Sequence, residues 1–353
     1  MTIPVTLVAG FLGSGKTTLV RRILEESHGV RCAVVVNEFG ALGVDGELVV
    51  RRESRDTSVV ELSNGCICCE IQDDLRTTLT ALAARGSGKG GPGRWLRRSR
   101  ASIDRILVEA SGAASPGPAV QTFLRHDELS RSDHLDGVVT LVHAAPVVDQ
   151  LTSTVETADQ IAYADRIIVN HSDRVGAEDL DRTVALVEIS NPLARVRVAE
   201  RANVPIAWVL GAIDPAASRD RWRGLDPTAL DQGEAHPVHP SAGGGGAARV
   251  HTAGLTSVSL TADAPLDRDA LLLWLEFLAR RRGQELMRTK GILAIRGSAA
   301  TLIVQGVYQW LEASEDANPP PVTSRLVLIG RDLDIEEIHR GWSAIGGAPP
   351  PVG

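Results

Sequence analysis

PVTLVAGFLGSGKTTLV, residues 4–20, decides the fold. Its first part is a short β-branched run, and from Thr17 onward the spacing of apolar residues is that of a helix. Between the two, GFLGSGKT (Gly10 to Thr17) fits G-x-x-x-x-G-K-[ST], the loop that joins a strand to a helix around phosphate. Glycines there let backbone N–H groups turn toward phosphate oxygens, so Gly10, Gly13, Ser14 and Gly15 line the expected cradle, with Thr18 beside it. Lys16 sets a cation on the β and γ phosphates, and Thr17 offers its hydroxyl to Mg²⁺.

Working outward, further apolar, β-branched runs read as buried strands: Arg31 to Asn37, Thr57 to Ser63, Asp104 to Ala110, Asp136 to Val142 and Asp165 to Asn170. Helical spacing falls between them at Thr17 to Ser27, Ile71 to Arg85, Ala119 to His126 and Ala177 to Ser190. The alternation predicts an α/β fold, a P-loop NTPase-type, mostly parallel sheet with helices on both faces and ligands at the carboxyl ends of its strands. A Gly-rich and basic stretch at residues 86–101 reads as a surface insertion, and the Pro-rich, GGGG-containing stretch near residues 211–249 as a linker. Past it, strands at Gly254 to Ala262 and Ser324 to Gly330, the apolar runs GILAIRG and TLIVQGVYQWLEA, and helices from Arg268 and Asp334 predict a smaller α+β domain. The expected division is 1–212, a linker at 213–250, 251–345, and a disordered tail at 346–353.

Composition narrows the classes. With 353 residues, 43% hydrophobic and 23% charged, the chain has material for two cores. A formal net charge of −7 argues against nucleic acid as the main partner. No apolar run reaches the ~18 residues of a membrane helix, so a soluble, cytoplasmic protein is expected.

Three of the four cysteines crowd into NGCICCE, Asn64 to Glu70, directly after the third strand and therefore on the same sheet edge as the phosphate loop. In a reducing compartment such a cluster points to metal or redox chemistry rather than to a disulfide scaffold. An extended loop puts Cys66 and Cys68 on one face, a helical one Cys66 and Cys69, and either gives at least two thiolates to a soft or borderline ion. Zn²⁺ takes four ligands, for which Glu38, Cys32, a water or a client's ligand are candidates. Glu109, at the end of ILVEASG, is placed to hold Mg²⁺ through water, and Gly112 follows it at the right distance to give a backbone N–H to the γ phosphate. In IIVNHSD, Asp173 can accept the paired N–H donors that guanine presents, with Asn170 bracing the loop.

Together GFLGSGKTT, VNEFGALGVDGELV, ELSNGCICC, VEASG and GIL…QGVYQ…RLVLIGRDLD resemble the CobW family of P-loop GTPases, relatives of the nickel-inserting accessory GTPases. The resemblance extends over both domains. It implies a GTP- and Mg²⁺-dependent enzyme with Lys16, Glu38 and Glu109 in catalytic roles, and Glu38 and Asp45 in a switch region. It further implies that Cys66, Cys68 and Cys69 hold Zn²⁺ or Co²⁺ for a client metalloprotein or a cobalamin pathway, in a monomer or homodimer. Two residues depart from the family pattern: His143 stands where relatives commonly carry Asp, and His171 replaces the lysine of N-K-x-D. Two other classes share the motifs: a nucleotide-binding, metal-responsive protein with little hydrolysis, and a P-loop small-molecule kinase with a structural zinc.

Overall fold

A computed structural model describes residues 3–26, 28–36, 58–61, 75–80, 82, 103–125, 133–211, 255–283 and 285–347. They form two compact units. In the first, β1 (Ile3–Gly10), β2 (Cys32–Val36), β3 (Ser58–Glu61), β4 (Arg105–Glu109), β5 (Asp133–His143), β6 (Arg166–Asn170) and β7 (Arg195–Val198) make one sheet in the order β3-β2-β4-β1-β5-β6-β7. Every pairing is parallel, so a sheet of this kind is covered on both faces. That is why β2 and β4 are buried throughout, and why Val5, Leu7, Val8 and Ala9 of β1 are at most 1% exposed.

The helix Lys16–Glu25 follows from its sequence: Lys16, Leu19, Val20 and Ile23 are its buried residues, an i, i+3, i+4, i+7 stripe. Helix Gly117–Arg125 begins two residues earlier than the spacing indicated, and Ala177–Ser190 lies where it was expected. Of the helix read at 71–85, residues 75–80 and 82 are described and helical. Four elements had not been read from the sequence: helices Val147–Ser153, Val155–Tyr163 and Ile206–Leu210, and edge strand β7.

The second unit is built on an antiparallel sheet, β11-β10-β9-β12-β8, of β8 (Leu255–Ala262), β9 (Leu286–Ala294), β10 (Thr301–Val307), β11 (Trp310–Asp316) and β12 (Ser324–Arg331). Helices Arg268–Arg281 and Ile335–Ala344 supply Leu271, Leu275, Leu278, Ile338 and Trp342 to its core. Both start at an aspartate whose carboxylate accepts a backbone N–H of the first turn, Asp267 from Ala270 (3.0 Å) and Asp334 from Glu337 (2.9 Å). Trp342 is fully buried and donates its indole N–H to the Thr261 carbonyl at 2.8 Å, a core role.

Candidate functional site

Register fixes which residues meet at the carboxyl edge of the first sheet. Val8 of β1 lies opposite Glu109, Gly10 opposite Leu141, and His143 opposite Asn170. The ends of β1, β4, β5 and β6 therefore open onto one crevice, beside the central strand where chain order reverses.

The phosphate loop occupies that crevice. Gly15 caps the helix in the left-handed region at φ 103°, and a Cβ there would run into the Asn170 amide. Asn170 is fully buried; its Nδ2 donates to the Ser14 carbonyl (2.9 Å) and its Oδ1 accepts from the Ala202 N–H (2.7 Å). Its side-chain bonds thus run to the phosphate loop and to Ala202, whereas the bracing expected from the sequence was of the loop that carries Asp173. Lys16 folds back, donating to the carbonyls of Gly10 (2.8 Å) and Phe11 (3.3 Å). Ser14 Oγ is buried and has no hydrogen-bond partner among the described residues. A buried orphan hydroxyl beside backbone N–H groups and a lysine fits an anion such as phosphate.

Across the crevice, the Thr17 hydroxyl donates to Glu109 Oε1 at 2.8 Å, and Glu109 is only 6% exposed. Residues 92 positions apart in sequence so converge as two hard oxygen donors, the chemistry that suits Mg²⁺. Gly112, three residues further, packs against the phosphate loop: a Cβ on it would stand 2.6 Å from Leu12 Cδ2 and 3.0 Å from Leu12 N.

At the ends of β5 and β6, His143 and His171 stack with ring centroids 4.3 Å apart and planes 27° from parallel. Burial, with help from His171 and Arg174, holds the His143 imidazole below its ordinary pKa, against the pull of Asp173. The Ala145 N–H donates to His143 Nδ1 at 3.2 Å, which assigns the proton of the neutral ring to Nε2. His171 takes a left-handed conformation, φ 60°, and leads into the short 3₁₀ turn Ser172–Arg174, where Asp173 is exposed.

Cys32 corrects one expectation. It begins β2, opposite Arg105, whereas the strand's other end, Val36, lies opposite Glu109. Four residues of strand, about 13 Å at 3.3 Å each, separate it from the carboxyl edge. Burial pushes its thiol up to about 11, partly offset by Arg105, so at neutral pH it is an inert SH in the core rather than a ligand. The residues Glu38, Asp45, Cys66, Cys68 and Cys69 lie outside the described residues.

One contributor had not been anticipated. The Gln160 side chain, buried in helix Val155–Tyr163, donates to the carbonyls of Gly112 and Ala114, both at 3.1 Å. The available signal was slight: an uncharged polar residue between Asp159 and the apolar pair Ile161 and Ala162.

Residues 4–197 match the family model described as "CobW/HypB/UreG, nucleotide-binding domain", and residues 255–345 that of the "Cobalamin synthesis protein cobW C-terminal domain". The zinc chaperone YjiA of Escherichia coli is 30% identical over 352 residues, covering 97% of this chain and 98% of that protein. The zinc chaperone CobW of Pseudomonas aeruginosa is 33% identical over 365 residues, covering 94% and 88%. Among solved structures, the Zn(II)-bound YjiA GTPase from E. coli is similar with a TM-score of 0.67 at 28% identity, over 98% of this chain and 99% of that one.

Proposed function

This chain is a GTPase of the CobW/HypB/UreG family, and we propose that it is a metallochaperone which binds zinc through the GCICC thiolates and yields it to a client metalloprotein under control of GTP hydrolysis. The observation that carries the reading is the Thr17–Glu109 contact of 2.8 Å at the mouth of the phosphate loop. It joins a loop that binds triphosphate to a carboxylate whose own loop, through Gly112, packs on that same loop.

In this reading Gly10, Gly13, Ser14, Gly15 and Thr18 cradle the phosphates, and Lys16 leaves its carbonyl partners for the β and γ oxygens. Thr17 and Glu109 hold Mg²⁺, the latter through water; the ion supplies charge neutralisation at the phosphates. Gly112 answers the presence of the γ phosphate. Asp173 selects guanine, on a turn that Asn170 secures. Glu38 belongs to the switch segment, and Cys66, Cys68 and Cys69 take the cargo ion. Zinc is favoured over cobalt because tetrahedral thiolate ligation binds it more tightly. The names of the relatives support the same choice.

The test is GTP hydrolysis by the purified apo protein with Mg²⁺, titrated with buffered Zn²⁺ and with Co²⁺, and run in parallel with ATP. The expected result is a GTP-selective rate that responds to stoichiometric zinc. That response disappears when Cys66, Cys68 and Cys69 are all replaced by Ala. Zinc that binds while the rate stays flat would refute the coupling of cargo to hydrolysis.

A further inference from the structure

Gln160 is fully committed to one neighbour. Its side chain is 1% exposed, and its Nε2 donates both hydrogens, to the Gly112 and Ala114 carbonyls at 3.1 Å each. Two carbonyl acceptors fix which end of the amide is NH₂, so the orientation follows from the contacts. The other end, Oε1, is buried and finds no donor among the described residues. The helix is itself tied down, since the Thr140 hydroxyl of β5 donates to the Gln160 backbone carbonyl at 2.7 Å.

The loop it holds is the one that follows Glu109. Ala110 N–H continues the ladder to the Val8 carbonyl (2.9 Å), and Ala114 N–H closes a turn onto the Ser111 carbonyl (3.1 Å). Gly112 sits inside that turn with Leu12 of the phosphate loop against it, so that a Cβ there would displace the Leu12 side chain and stand 3.0 Å from the Leu12 backbone nitrogen. The turn is therefore gripped from two sides: by Leu12 across the crevice and by the Gln160 amide from the helix. If the turn withdrew, the Gln160 amide would lose its partners in the protein interior, where unpaired amides are costly.

We propose that Gln160 is a positioning residue for the triphosphate state: it latches the Ser111–Ala114 turn beside the phosphate loop, so that Gly112 is already in place when a γ phosphate arrives. This rests on the reading of Gly112 as the γ-phosphate contact. Preorganisation of this kind favours GTP over GDP, because the diphosphate has no group that reaches the turn, whereas a purely structural role would affect both nucleotides alike.

Calorimetric binding of GDP and of the slowly hydrolysed analogue GTPγS, both with Mg²⁺, to wild type and to Gln160→Met tests it. Methionine keeps the length and removes the donors. The expected result is a fall of about tenfold in GTPγS affinity, the scale of losing one or two neutral hydrogen bonds, with GDP affinity held within about twofold. Equal losses for both nucleotides, or no loss for either, overturn the latch. Wild type that binds neither nucleotide takes down the nucleotide reading itself, and the latch with it. Should Gln160→Met fail to fold, hydrogen exchange on the unaltered protein with GDP bound decides: the Ala114 amide, bonded to the Ser111 carbonyl, is protected if the turn is latched before a γ phosphate arrives, and exchange at the rate of an open chain overturns the latch.

Discussion

Replacing Asp136 by Ala should destabilise the first unit by about 3–5 kcal/mol, the usual cost of stranding one member of a buried ion pair. Arg105 Nη1 donates to Asp136 Oδ2 at 2.8 Å, and the two side chains are 4% and 9% exposed, so solvent screens the pair little. The same nitrogen donates to the Thr6 hydroxyl at 3.0 Å, which satisfies hydrogen bonding and supplies no charge. Arg166 adds to the cost. Burial lowers its pKa, against the pull of Asp136 and, more weakly, of Asp165. Without Asp136, Arg105 loses its ion-pair partner and Arg166 loses one of the two carboxylates that favour its charge. The nucleotide edge should be spared, because Asp136 lies seven residues before His143 on β5, about 23 Å at 3.3 Å per residue. Urea unfolding, with hydrogen exchange of β1 and β4 amides to report on this unit alone, measures the loss; steady-state GTP hydrolysis below the transition checks that KM moves less than about twofold. Arg105→Met combined with Asp136→Leu removes both charges and should recover most of the loss. A single variant costing under about 1 kcal/mol, or a double variant no better than the single, would show that the pair is not the buried, unscreened contact described above.

Gly15→Ala should weaken GDP binding by about tenfold or more, since the left-handed backbone and the Asn170 amide both reject a Cβ; calorimetry giving wild-type affinity would contradict this. Cys32 should resist iodoacetamide at pH 8 in the folded protein and react after urea unfolding, as read by mass spectrometry, and equal reactivity in both states would refute the core assignment. The same raised pKa means that the folded state keeps a proton the unfolded chain loses, so the Cys32 contribution to stability declines as pH rises from 9.0 toward about 11. His143 has the opposite sign of shift: as pH falls below the unfolded value of about 6.5, the unfolded chain gains the proton first and stability drops. His143→Gln should flatten that slope between pH 7.5 and 5.5 in thermal unfolding, and an unaltered slope would remove His143 as its source.

The phosphate loop was legible because its chemistry is local: glycines, a lysine and a hydroxyl within eight residues, between a strand and a helix that their own apolar spacing declares. Glu109 and Asp173 followed, since ends of buried strands are visible as ends of apolar runs. The helices Val147–Ser153 and Val155–Tyr163 did not, being short, rich in Val and Thr, and parted by the single residue Thr154. Strand β7, RVRV, hid for a related reason: as an edge strand it keeps its charged residues exposed and shows no apolar run. In the second unit TLIVQGVYQWLEA is two strands, and the reversal falls at Tyr308 with φ 54°, where no glycine or proline announces a turn. Cys32 illustrates a different limit. Composition counts thiols, but only register tells which end of a strand each one occupies.

That same distinction between strand ends organises the first unit. β4 runs from Arg105 to Glu109 and β6 from Arg166 to Asn170, while β5 passes from Asp136 through Val138, Val139, Leu141 and Val142 to His143. A sheet covered on both faces leaves no room for unpaired polar groups along its interior, so they collect where strands begin and stop. At the amino ends Arg105 is closed on Asp136, and Arg166 lies near Asp136 and Asp165, its Nη1 buried with no hydrogen-bond partner among the described residues. At the carboxyl ends closure is incomplete: Ser14 Oγ has no partner among the described residues, Lys16 folds back on the Gly10 and Phe11 carbonyls, and the Thr17 hydroxyl turns to Glu109. The two edges should then respond oppositely to conservative substitution. Removing a group from the amino edge breaks a completed pair and costs stability. Thr17→Val or Glu109→Gln instead removes a group whose fuller set of partners comes with nucleotide, and costs hydrolysis with little change in unfolding midpoint. A fall in apo stability for those two variants as large as that for Asp136→Ala would mean the carboxyl edge is also a closed structural network, and the asymmetry that marks it as the site would be lost.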